Sequence, residues 1–206
     1  IARIGHIGHE ADDVLGALVH QRGGPAYVVS GDRDLYQLVD DAAEVSVVSI
    51  TRGVKNLEVM TDGVLLDKYG IVGRQYADFA TFRGDPSDGL PGVSGVGEKT
   101  AAGLVSTYGS LTGVLDAATQ PNSPLKPAVR TKIMDSLSYL ECASQVVRVR
   151  TDAPLPPSIR VPTQIADPDG LAAISADWGV DKHVARLLSS DRKSTRLNSS
   201  HIPLSR

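Results

Sequence analysis

Aromatic residues are scarce in this 206-residue chain, at 4%, so stacking against bases is not its main means of holding a ligand. Cysteine occurs once, at Cys142. That excludes a disulfide framework and points to a reducing cytoplasm. Cys142 itself is expected to be a small core residue. No apolar run approaches the roughly 20 residues of a membrane span. The opening IARIGHIGHEADD has no apolar signal-peptide segment and no initiator methionine, so a fragment of a longer cytoplasmic protein is expected. Internal repeats are also missing.

What is present is globular in character. Hydrophobic residues make up 41% and charged residues 22%, and the length suits one or two domains with a real core. The net charge of −3 at first opposes a nucleic-acid partner. Its distribution removes the objection. Residues 1–191 hold 17 basic and 24 acidic side chains. Seven of those acids lie in three short clusters, and the remaining charges balance if the seven bind metal.

The stretch RGDPSDGLPGVSGVGEKTA, from Arg83 to Ala101, is rich in glycine and ends in lysine and threonine. It is not a P-loop. Gly92 and Gly97 have the right separation, but Glu98 precedes Lys99 and Thr100, which puts a carboxylate where a phosphate needs a cation. No buried strand leads into it either. The pattern instead reads as a tight glycine turn opening onto an amphipathic helix. Free amides at such a helix start favour a phosphate, and a DNA backbone suits them as well as a nucleotide does.

Periodicity predicts a helix over residues 10–21, with Val14, Leu15, Leu18 and Val19 on one face. Strands follow at 26–30 and 45–50, separated by a short helix in DLYQLVDD. This order points to an α/β unit with a parallel sheet. TRGVKNLEV is expected to be a hairpin. Thr61 or Asp62 caps a helix that Gly70 stops after Tyr69. Beyond residue 72 the signal is helical, over 75–83, 98–108, 110–118, 129–147 and 171–188. The end, DRKSTRLNSSHIPLSR, lacks periodicity and is read as a disordered or non-native tail.

The three acidic clusters are Glu10, Asp12 and Asp13; Asp32 and Asp34; and Asp85 and Asp88. Each alone has a structural explanation, since acids favour helix starts and aspartate favours turns. Together they are harder to explain that way. Converging carboxylates repel one another, and hard oxygen-bound cations such as Mg²⁺ or Mn²⁺ relieve the repulsion. A pair of such ions suits phosphodiester hydrolysis. His6 and His9 have no cysteine or further histidine at a zinc-ligand spacing and are expected to be solvated or capping.

GHEADDVLGALV, VVSGDRDLYQLV and FRGDPSDGLPGVSGVGEKTA, in this order, resemble the bacterial 5′–3′ exonuclease and flap endonuclease family, which includes the 5′ nuclease domain of DNA polymerase I. The stand-alone type is the nearer likeness. The resemblance runs from about Gly5 to Leu188. It implies an α/β fold: part of a PIN-like, Rossmann-like parallel-sheet domain (residues 1–72), then an all-helical DNA-binding domain (73–165). The latter carries a helix–three-turn–helix element of the helix-hairpin-helix kind over 75–108. A helical extension (166–190) and the tail (191–206) complete the expected domains.

The resemblance also implies roles. Glu10, Asp12, Asp13, Asp32, Asp34, Asp85 and Asp88 match the family's metal-binding acids, with Asp13, Asp32 and Asp85 assigned to catalysis. Gly92, Ser94, Gly95, Gly97, Lys99 and Thr100 match its DNA-binding turn. Two Mg²⁺ or Mn²⁺ ions are implied, with K⁺ at the turn. The implied substrates are double-stranded, nicked or 5′-flapped DNA and RNA–DNA primer junctions. A monomer in the bacterial cytoplasm, associated with the nucleoid, is expected, with no membrane and no nucleotide cofactor. Relatives carry a further aspartate-bearing strand and a basic helical arch that have no match here, so weak cleavage and marginal stability are expected of this chain. Two rival functions fit the same residues, a non-catalytic duplex-binding module and a PIN-type ribonuclease.

Overall fold

The computed structural model describes residues 3–159, 165 and 167–197, with side chains described through Ser189. Helix α1 (Ala11–Arg22) leads into strand β1 (Ala26–Ser30), a short 3₁₀ segment (Asp34–Leu38), and strands β2 (Val45–Ser49) and β3 (Glu58–Met60). β1 and β2 pair in parallel, with Val28 opposite Val47. β3 returns antiparallel to β2, with Val48 opposite Val59, so TRGVKNLEV is the hairpin connection. Alternation sorts the two faces. Val28, Val45, Val47 and Met60 are buried, whereas Tyr27 (75% exposed) and Val29 (61%) face outward on β1.

Helix α2 (Asp62–Tyr69) has the expected punctuation. The Thr61 hydroxyl accepts from the Val64 amide, and Gly70 closes the helix in the left-handed conformation. Then come α3 (Tyr76–Arg83), α4 (Glu98–Tyr108), α5 (Leu111–Thr119), α6 (Pro127–Asp135) and α7 (Leu137–Val147). The single helix expected over 129–147 is two helices. Ser136 leaves helical geometry at φ −105°, ψ 10°, a bridge conformation that turns the chain without glycine or proline. Cys142 is a second correction. It is exposed, because α7 turns Leu140, Ala143 and Val147 inward.

Ile4–Pro157 form one compact unit. Its core runs from Val28, Leu35 and Val47 to Phe79, Phe82, Val105, Val114, Ile133 and Leu140. The few aromatic residues concentrate there. Tyr76 meets Tyr36 at 5.3 Å and Phe79 at 5.6 Å between ring centroids, in the tilted and edge-on packing that rings prefer. Burial pushes the Tyr76 phenol up to about 12.

Helices α8 (Pro168–Asp177) and α9 (Asp181–Leu197) belong to another unit. The expected single helix over 171–188 breaks between them at Gly179, φ +62°. α9 then continues through Leu197, into the segment expected to be disordered, since no glycine or proline interrupts it. Residues 198–206 lie outside the described part. No described helix is long and apolar enough to cross a membrane.

Candidate active site and nucleic-acid interface

Glu10, Asp12 and Asp13 stand at the start of α1, where the helix dipole favours negative charge. Glu10 caps the helix and Asp13 stands three residues on, and the Glu10 amide donates to the Asp13 carboxylate at 3.2 Å. The other Asp13 oxygen accepts from the Arg150 amide at 2.9 Å. Asp13 therefore joins α1 to the extended segment after α7. Asp12, half-buried beside it, makes no hydrogen bond through its carboxylate among the described residues.

Asp32 and Asp34 follow β1, just beyond the carboxyl end of the parallel strands, where open α/β sheets bind ligands. The Asp32 amide donates to the Ser30 hydroxyl at 3.0 Å, and the Asp32 carboxylate accepts from the Asp34 amide at 2.9 Å. This local turn chemistry holds both acids in place. Asp85 caps the 3₁₀ turn Pro86–Asp88, and Asp88 ends it. Asp85 accepts from the Ser87 amide and hydroxyl and faces Arg83 and Arg33 at 3.5 and 3.7 Å. The Ser87 hydrogen bonds, with the two guanidiniums, hold the Asp85 carboxyl below its ordinary range.

The three clusters share one field. Burial, then Asp32, Glu10, Asp13 and Asp88, raise the Asp12 carboxyl above its ordinary range. Burial, then Asp32, Asp88 and Asp85, push the Asp34 carboxyl up to about 6. Asp32 and Asp88 thus act on both, and with Arg33, Asp85 and Ser87 they line one groove of about 260 Å³. Among the described residues, however, no three histidine, cysteine or acidic side chains close on a point as a ready metal cage. Asp13 and Asp85 are held by protein donors, while the carboxylates of Asp12, Asp34 and Asp88 accept from none among the described residues. Unneutralised carboxylate oxygens are the donors that hard divalent cations take, so this residue set fits such an ion in chemistry.

The glycine turn lies directly after the third cluster. Gly92 and Gly95 have φ of +71° and +68°, which favours glycine. Gly97 is the N-cap of α4 in extended conformation. Its carbonyl accepts from the Thr100 and Ala101 amides, and the amides of Glu98 and Lys99 have no partner among the described residues. Ser94, Gly95, Gly97, Lys99 and Thr100 are all exposed, and Gly92 is half-buried. The turn therefore presents free amides and a lysine on one surface.

Several side chains at these sites are absent from the motifs. Lys132 of α6 donates to the Gly95 carbonyl at 2.9 Å. The Tyr139 hydroxyl of α7 accepts from the Gly92 amide at 3.0 Å and donates to the Thr81 carbonyl at 3.2 Å. Arg33 lies between two acids in GDRD, and its neighbours are the only sequence signal for it. A larger groove, of about 830 Å³, is bordered by Arg74, Arg148 and Arg150. Two of its three guanidiniums are engaged internally, Arg148 with Asp78 at 2.6 Å and Arg150 with Asp152 at 2.9 Å. His6 is exposed and bonds the Ile7 carbonyl, and His9 meets it ring to ring at 5.1 Å.

Residues 1–70 match the family model of the 5′–3′ exonuclease N-terminal resolvase-like domain, and residues 71–170 match that of the 5′–3′ exonuclease C-terminal SAM fold. The chain is 46% identical over 190 residues to a 5′–3′ exonuclease of Streptomyces coelicolor, covering 92% of this chain and 63% of that protein. A 5′–3′ exonuclease of Mycobacterium tuberculosis is 44% identical over 196 residues, with 91% and 62% covered. The chain thus spans about three-fifths of the length of these curated relatives. The fold is similar to that of the bacteriophage T5 D15 flap endonuclease, solved with DNA and metal ions. That likeness has a TM-score of 0.57 at 22% identity, over 70% of this chain and 51% of that one. With both domain models matched in sequence order and the acids and glycine turn placed side by side, the chain belongs to the 5′–3′ exonuclease family.

Proposed function

We propose that this chain forms part of a metal-dependent 5′–3′ exonuclease and structure-specific flap endonuclease that hydrolyses phosphodiester bonds near DNA 5′ ends, flaps or nicks. Residues 1–72 carry the acids of the first two clusters, and 73–165 carry the third and the helix–three-turn–helix. The observation behind this reading is the shared field of the three clusters beside an exposed glycine turn. The relatives named 5′–3′ exonuclease and the T5 enzyme solved with DNA and metal support it.

Each group has a distinct task. Asp12, Asp32, Asp34 and Asp88, with Glu10, Asp13 and Asp85, would hold Mg²⁺ or Mn²⁺. When bound, such ions activate water and stabilise the leaving oxygen. Ser87, with Arg83 and Arg33, keeps Asp85 ionised and oriented. The free amides of Glu98 and Lys99, with Ser94, Lys99 and Thr100, take phosphate oxygens of a duplex. Gly95 and Gly97 let that backbone approach closely. Such contacts position DNA without reading its sequence, so selection rests on the shape of the end or branch. K⁺ at the turn carbonyls would have Lys132 as a neighbour at Gly95.

Weak cleavage is expected of this chain, since Asp13 and Asp85 are already engaged by protein donors and, among the described residues, no three acids close on one point. The test is anisotropy of a labelled 5′-flap duplex in EDTA, followed by cleavage in Mg²⁺. Tighter binding of the flapped duplex than of a single strand supports the reading, and equal or absent binding contradicts it. Strong Mg²⁺-dependent cleavage that Asp85→Ala abolishes contradicts the weak activity assigned to this chain. A non-catalytic duplex-binding module gains from the structural engagement of Asp13 and Asp85, and it predicts DNA binding with no uptake of Mn²⁺.

A further inference from the structure

The acid loop and the glycine turn are joined at a common base. Gly84 and Gly92 sit back to back, both left-handed at φ +80° and +71°. A Cβ on Gly84 would fall 2.4 Å from the Gly92 nitrogen, and one on Gly92 would fall 2.4 Å from the Arg83 carbonyl oxygen. The Val93 amide donates to the Phe82 carbonyl, and the Leu90 amide to the Asp85 carbonyl, both at 2.9 Å. Asp85 and Asp88 therefore lie on a closed loop whose outgoing end is the phosphate-facing turn. One side chain spans the base. The Tyr139 hydroxyl, 47 residues from Gly92, takes the Gly92 amide and gives its proton to the Thr81 carbonyl on α3. Burial raises the Tyr139 phenol, which keeps the proton that the second bond needs. From α6, the Lys132 ammonium meets the Gly95 carbonyl on the same turn.

We infer that Tyr139 is a positioning residue: its hydroxyl latches the Gly84–Gly92 base, so that the Asp85–Asp88 acids and the DNA-gripping turn keep one register. The inference rests on the proposed DNA reading. It assigns Tyr139 no contact with DNA. Losing the hydroxyl leaves Gly92 free to shift, and the amides of the following turn lose their alignment with a phosphate.

The experiment measures binding of a fluorescein-labelled 5′-flap duplex in EDTA over a range of salt, for the wild-type chain, Tyr139→Phe and Lys99→Ala. Tyr139→Phe is expected to weaken binding about tenfold with the slope of log K against log salt unchanged. Lys99→Ala is expected to reduce that slope by about one, as loss of a phosphate contact does. Wild-type-like affinity of Tyr139→Phe, or a slope reduced by one, overturns the positioning role. Amide hydrogen exchange supplies the second readout. The Gly92 amide is expected to be protected in the wild type and to exchange faster in Tyr139→Phe, and equal rates overturn the latch. If the wild type binds no duplex, the functional reading fails and Gly92 exchange alone decides the latch. If Tyr139→Phe does not fold, an unprotected Gly92 amide in the wild type overturns the latch, and a protected one supports it.

Discussion

Asp34 is a carboxylate held against its own interest. It is half-buried, three other acids act on it, and its carboxyl is pushed up to about 6 by burial first and those charges second. An acid with a folded value above its ordinary one favours the protonated native state. The metal-free chain should therefore gain stability as pH falls from 7 through about 6, and the gain should level off near the ordinary value of about 4. Below that, the opposite shift of Asp85 takes stability away. Urea midpoints at pH 7 and 5 test this, with a higher midpoint expected at pH 5. Asp34→Asn should shrink the difference, leaving the smaller part that the raised Asp12 carboxyl contributes. It should raise the melting temperature at pH 7 while weakening Mn²⁺ uptake, a trade-off expected where a fold carries strain for function. A lower melting temperature would show that Asp34 acts structurally. At the alkaline end, Tyr76 should be the last tyrosine to ionise, near 12, read at 295 nm. A folded chain whose tyrosines all titrate together near 10 would contradict its burial.

At the scale of elements, the glycines of the turn divide into two kinds. Gly92 is left-handed and packed against Arg83, so Gly92→Ala should cost roughly 1–3 kcal/mol of stability. Gly97 has an ordinary φ of −85°, and nothing lies within 4 Å of an added Cβ. Gly97→Ala, which puts a poorer capping residue at the start of α4, should cost no more than about 1 kcal/mol and weaken duplex binding severalfold, because the methyl intrudes where a phosphate approaches. Paired denaturation and binding curves separate the two. A Gly97→Ala variant that binds DNA normally would remove the close-approach argument. The same contrast shows what was legible in the sequence. α4 was readable to its last residue, since Gly97 and Gly109 bracket it. The acids and the turn were readable because they fall in compact motifs. The break at Ser136 was not, because a bridge conformation needs no special residue. Lys132 and Tyr139 were not readable either, since they reach the turn from 37 and 47 residues away through packing that no local pattern encodes.

For the whole molecule, the sheet has an exposed side. β1 ends the β1–β2–β3 order, and Tyr27 and Val29 face outward together with Val59. AYVVS carries no charge, proline or bulge to protect an edge. Association at raised concentration should therefore be measurable by light scattering, and Val29→Lys should suppress it without lowering the melting temperature. Unchanged scattering in that variant would place the association elsewhere. The carboxyl end of the same sheet carries the chemistry. There, strand ends, an α1 start and the 84–92 loop bring acids from three parts of the sequence into one field, next to a helix start that faces phosphate.

The most direct test of this account is Mn²⁺ uptake followed by electron paramagnetic resonance, in the wild-type chain and in Asp32→Asn/Asp88→Asn, the two acids that act on both Asp12 and Asp34. Saturable uptake by the wild type, lost in the double variant, with duplex binding retained, is the predicted result. No uptake, or uptake that the double variant keeps, would contradict a metal-dependent nuclease site built on these carboxylates.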